Sequence, residues 1–209
     1  MALVIKGSSS GQITLDVPSS AGTNTITLPA STFTVPTEGS NFVRLAGETL
    51  SADASSIEIS ASTLTTSYKN YEIYADLQPK TDGQQVFLRL RDNSATILNT
   101  VSDFQMQAYR GGGTDFSDTT MSALTSITGV GNASDEHAVC RFTIGALRDS
   151  AKNTQIIFQM SGNTTAGSIF TTYGSFQTNT AEDNQGIQLT FASGDIASGS
   201  SYVLYGVKS

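Results

Sequence analysis

The chain has 209 residues, a net charge of −7 and one cysteine, Cys140. The acidic balance argues against nucleic-acid binding by phosphate neutralisation and against electrostatic docking on anionic lipid. A lone thiol excludes an internal disulfide and a cysteine-rich zinc site. Charged residues make up only 14%, which leaves a neutral surface of hydroxyls and amides. Such a surface suits a packed assembly or glycan contact; the plainer reading is a protein kept in solution by mild acidity.

In chain order, Leu3, Val4 and Ile5 form an apolar run too short for a signal-peptide core, with no basic region before it. The expectation is synthesis in a cytoplasm without secretion by that route. No stretch approaches the roughly 18 apolar residues of a membrane span. Residues 11–17 alternate, with Ile13, Leu15 and Val17 on one face, and residues 25–28 form a shorter alternating run with Ile26 and Leu28. Short β pieces need a neighbour to cover their apolar face. That neighbour is either another subunit or surface, or the edge of the main domain. Residues 1–37 are therefore read as a β arm, 38–41 as a linker and 42–209 as the main domain.

The most regular stretch is 71–91. Tyr71, Ile73, Ala75 and Leu77 share one face, with Glu72 and Asp76 opposite; Val86, Leu88 and Leu90 alternate with Phe87, Arg89 and Arg91. Pro79, Asp82 and Gly83 lie between them and favour a turn. The pattern predicts a hairpin with a long loop. Further strands are expected at 41–46, 56–60, 104–109, near Thr125, and at 137–144, 154–160, 168–176, 186–191 and 202–207. No window carries a helical repeat. About eight short strands with regular turn signals predict an all-β chain: an antiparallel β-sandwich, jelly-roll-like, behind a short amino-terminal arm.

Chemistry is sparse. His137 has Asp135 and Glu136 beside it, but a single histidine opening a strand reads as a surface residue, and no Gly-x-Ser-x-Gly elbow accompanies it. Cys140 reads as a buried, inert thiol. The acidic groups Asp115 with Asp118, Asp135 with Glu136, and Glu182 with Asp183 lack the frame of a calcium loop and read as solvated loop charges. No catalytic residue, metal or cofactor is expected. Tyr68, Tyr109, Tyr173 and Tyr202 are the candidates for stacking on sugar rings; the competing reading makes them core residues with hydroxyls at the rim.

Three stretches carry a resemblance. The segment 11–18 with 21–30 (GQITLDVP and AGTNTITLPA), the turn Leu77-x-Pro79-x-Thr81-Asp82-Gly83 within 71–91, and the ending 191–199 through 204–207 (FASGDIASG and LYGV) occur in this order. Together they resemble structural proteins of tailed bacteriophages, notably those of cyanobacteria and marine bacteria. The resemblance implies a non-enzymatic protein of the virion surface, made in the host cytoplasm. It covers less than half of the chain and carries no functional residues over. A short arm with one globular head suits a homotrimeric capsid decoration or cement protein. Leu3, Val4, Ile5, Ile13, Leu15, Val17, Ile26 and Leu28 would then be buried against the major capsid protein, other virion proteins or sister subunits. The alternative is a short tail fibre whose sandwich contacts host-surface glycans.

Overall fold

The computed structural model describes residues 3–6, 12–15, 41–111, 114–126 and 128–208. The chain divides into two compact units, residues 1–37 and 38–209. In the first, β1 (Leu3–Lys6) pairs antiparallel with β2 (Gln12–Leu15), Leu3 opposite Leu15 and Lys6 opposite Gln12. Val17, Ile26, Leu28 and the strand expected at 25–28 lie outside the described residues.

The second unit is built from β3 (Phe42–Thr49), β4 (Ile57–Ile59), β5 (Asn70–Leu77), β6 (Val86–Arg91), β7 (Phe104–Arg110), β8 (Thr114–Met121), β9 (Leu124–Thr125), β10 (Ala138–Gly145), β11 (Gln155–Asn163), β12 (Ile169–Thr178), β13 (Gly186–Phe191) and β14 (Ser201–Val207). They form two antiparallel sheets. One has the order β3-β14-β5-β10-β11-β12-β7-β8, the other β4-β13-β6-β9. Setting aside β7, β8, β11 and β12, successive strands alternate between the sheets except at β6 and β9, which are neighbours in the smaller one. This connectivity gives the sandwich its jelly-roll-like character, because all but one of these connections cross the core instead of joining strands of one sheet. The four strands set aside widen the larger sheet on one side.

The core follows from the alternation. On the large sheet, Tyr71, Ile73, Ala75 and Leu77 of β5 and Ala138, Cys140, Phe142 and Ile144 of β10 point inward and are buried. On the small sheet, Val86, Leu88 and Leu90 of β6 and Ile187, Leu189 and Phe191 of β13 face them, all within one apolar cluster. Phe104 and Phe176 stack in it, with ring centroids 4.6 Å apart. The strand β13 is buried on both faces. On its outer side the Gln188 amide donates to Glu58 at 2.7 Å and the Thr190 hydroxyl donates to the Ser55 carbonyl at 3.0 Å. Glu58 also accepts from Arg91 Nη2 at 2.8 Å, so the polar groups there are matched to one another.

The hairpin expected over 71–91 is not formed. Its first strand, β5, lies between β14 and β10, whereas β6 lies between β13 and β9 in the other sheet. The loop between them is a sandwich corner. Pro79 bridges to Ile196, the Lys80 amide donates to the Asp195 carbonyl at 2.9 Å, and Gln84 bridges to Val130. Gly83 holds φ at 71°, the left-handed region the turn chemistry anticipated. The strands 186–191 and 202–207 are likewise split between sheets. Among the described residues twelve strands occupy 42–207, more than the roughly eight of the expected jelly roll, and eleven of them fall on stretches read as strands from the sequence. The surplus includes β8, a Thr- and Ser-rich edge strand with little apolar patterning.

Candidate functional site

The outer face of the large sheet carries most of the exposed apolar and aromatic side chains described in the sandwich. Of the large apolar and aromatic residues exposed to solvent among the described residues, Phe42, Tyr74, Tyr109, Val139, Ile157, Ile169 and Tyr173 lie on strands of that sheet, and only Val101 does not. Their position follows from parity: each except Phe42, whose strand has no fully buried residue, is one residue out of step with a core residue of its own strand.

The register orders these side chains into rows. Tyr74 stands opposite Arg141, Arg141 opposite Gln159, Gln159 opposite Tyr173, and Tyr173 opposite Tyr109. The Tyr109 and Tyr173 rings stack at 5.5 Å between centroids, inclined by 23°. At the other end of the row the Arg141 guanidinium lies over the Tyr74 ring, 5.4 Å from its centroid. Arg141 Nη2 donates to both carboxylate oxygens of Glu72 at 3.2 and 3.3 Å, and the Tyr74 hydroxyl donates to Glu72 at 2.6 Å. That hydrogen bond raises the Tyr74 hydroxyl above its ordinary pKa. Tyr205 packs edge-on against both Tyr74 and Phe42, extending the aromatic edge onto β14 and β3.

The tyrosines singled out in the sequence separate into two pairs. Tyr109 and Tyr173 are brought together on the open face. Tyr68 and Tyr202 are partly buried and pack against the core, Tyr68 edge-on to Tyr71; burial raises the Tyr202 hydroxyl above its ordinary pKa. Tyr74, Arg141, Gln159 and Ile157 were not singled out as site residues. The signal was available for Tyr74, whose parity matches Glu72 and Asp76.

Elsewhere several ionisable groups are held by neighbours. His137 Nδ1 sits 2.5 Å from Asp76 Oδ1, both half exposed, beside Ser134 and Ser200. The Ser200 hydroxyl oxygen accepts from the Gln78 amide at 3.0 Å. Cys140 is fully buried and burial pushes its thiol up to about 12, so no thiolate forms near neutral pH. Among the acidic groups, Asp118 accepts from the Thr120 hydroxyl and amide, and Glu136 accepts from the Ala133 amide. Among the described residues no group of three His, Cys, Asp or Glu side chains could hold a metal ion.

Among the described side chains of these acidic groups, Asp183 is the one joined to an arginine. Arg148 Nε and Nη2 donate to its two oxygens at 2.5 and 3.2 Å, while Nη1 donates to the Leu64 carbonyl. The hydrogen bonds from Arg148 hold the Asp183 carboxyl below its ordinary value of 3.8. A depressed folded-state pKa stabilises the fold above the unfolded value, and that stabilisation is lost as pH falls through the folded value. Urea midpoints measured from neutral pH to below 3.8 are therefore expected to fall. The fall over that window is expected to be smaller in Asp183→Asn, which has no carboxylate there to protonate.

The chain matches no protein-family model, no curated protein and no solved structure.

Proposed function

We propose that the chain is a non-enzymatic structural protein of a tailed-phage particle. Residues 1–37 anchor it, and the sandwich of residues 42–209 is displayed on the virion surface. In its specific form it is a homotrimeric capsid decoration protein, whose arm packs on the major capsid protein and on sister subunits and straps neighbouring capsomers together. The division into a small paired-strand unit and a large sandwich carries this reading, alongside the resemblance in 11–30, 71–91 and 191–207. Short strands such as β1 and β2 gain stability only when their apolar side is covered.

A short tail fibre is the second reading. The aromatic outer face of the large sheet favours it, since an open surface of that kind is available to a receptor. Immunogold labelling of intact particles with antibody against residues 42–209 separates the two. Decoration predicts gold over the whole head and the fibre predicts gold confined to the tail. Particles without gold would remove the virion reading.

A further inference from the structure

We infer that the outer face of the large sheet, between Tyr74 and Tyr109, binds a neutral oligosaccharide. The inference goes beyond the virion role and does not depend on it, because the sheet face alone carries it.

A pyranose sugar offers a flat apolar C–H face and a rim of hydroxyls that both donate and accept hydrogen bonds. A protein site for it needs a fixed aromatic wall and planar polar groups beside that wall. The hollow lined by Arg141, Thr143, Ile157, Gln159 and Tyr173 has these parts. Tyr173, 51% exposed, is the aromatic wall. Tyr109 stacks on it from the next strand, β7, which lies on the side away from Arg141 in the sheet order. Tyr109 is thus a positioning residue that limits the motion of the Tyr173 ring. The Gln159 amide, one strand from each wall, supplies a donor and an acceptor.

Arg141 forms the opposite wall. Its guanidinium is held from two directions, by the Tyr74 ring beneath it and by Glu72 beside it. A guanidinium is a planar fork of five donors, and its bonds to Glu72 run through Nη2 alone. The remaining donors suit a pair of adjacent sugar hydroxyls. The two walls stand two strand spacings apart, about 10 Å at roughly 4.8 Å per strand, room for a sugar ring between them, and the open sheet face lets a longer chain continue along the hollow.

Charge selects the class. The Arg141 charge is matched locally by Glu72 at 3.2 Å, and the whole chain carries −7. The face therefore offers no surplus positive charge to an acidic glycan or a nucleic acid. A second copy of the chain fits less well. It would bury the Arg141–Glu72 pair and the amides together with the rings, and charged groups are depleted from the cores of protein interfaces.

The test uses the full chain, titrated by calorimetry with soluble hexasaccharides of the gluco, galacto and manno series and with hexagalacturonate. Sedimentation is run in parallel. The expected result is saturable binding of at least one neutral hexasaccharide and none of the acidic one. Tyr173→Ala is expected to weaken binding at least tenfold, Tyr173→Phe to retain it, and Val101→Ala, off the sheet, to leave it unchanged. An unaltered circular dichroism spectrum keeps the Tyr173→Ala result free of unfolding. Four outcomes would overturn the inference: no neutral hexasaccharide binds; the acidic one binds instead; Tyr173→Ala binds as the parent does; or the parent sediments as an oligomer that Tyr173→Ala dissolves, which assigns the face to a second copy. None of these results bears on the gold labelling, so the two readings fail separately.

Discussion

Phe142→Ala is expected to destabilise the sandwich by about 3–5 kcal/mol, the range for removing a buried aromatic ring from a core. Phe142 is fully buried in β10, at the middle of the large sheet, opposite Ile73 of β5 and Phe158 of β11. Both neighbouring strands are fixed in ladders of their own, β5 to β14 and β11 to β12. The cavity therefore cannot be closed by moving one strand, and the loss falls in the upper part of the range. Small domains have a total stability of about 5–15 kcal/mol, so this one change removes a large fraction of it. The check is a urea titration. The midpoint should drop sharply with the slope unchanged, since the surface exposed on unfolding is nearly the same. A drop of less than about 1 kcal/mol would mean that the two sheets do not pack as described around this ring.

Deleting residues 1–37 is expected to leave residues 38–209 folded and soluble but unable to join particles. The first half of this outcome follows from the structure, because the deleted residues form a compact unit separate from the sandwich. The second half follows from the proposed anchoring role. Each large apolar arm residue that becomes fully buried on assembly contributes about 1.5–3 kcal/mol, and the arm offers Leu3, Val4, Ile5, Ile13, Leu15, Val17, Ile26 and Leu28. Losing several of these together is enough to abolish occupancy. The measurement is quantitative gel analysis of particles assembled with the truncated chain, with a circular dichroism melt of that chain beside it. Full occupancy without the arm would refute the anchoring role. An unfolded truncated chain would show that the two units depend on each other.

Much of the fold was legible because a strand announces itself through its own side chains. The alternation of Tyr71, Ile73, Ala75 and Leu77 with Glu72 and Asp76 marks β5, and Val139, Arg141 and Thr143 are readable as the outer side of β10. The strand β8 was not legible. It sits at the edge of the large sheet, paired with β7, and its described residues are exposed or half-buried, so the strand needs no continuous apolar side. Of the candidate site, Tyr109 and Tyr173 were named from their residue type alone. Tyr68 and Tyr202 were named on the same ground and pack against the core instead, because residue type does not say which face of a strand is covered.

The all-β class, the inward and outward sides of strands such as β5 and β6, and the turn at Gly83 are written in the chain's local pattern, since all three rest on backbone geometry repeated every two residues or on one residue's φ. Which strands are neighbours is set by long-range packing instead. A half-buried strand satisfies its period-two pattern equally well beside its chain neighbour or across a core from it. The choice between a hairpin at 71–91 and a corner between two sheets was made by long-range burial, in which β5 is flanked by β14 and β10, and β6 by β13 and β9. The same long-range choice brings β10, β11, β12 and β7 side by side and so assembles Arg141, Gln159, Tyr173 and Tyr109 into one row.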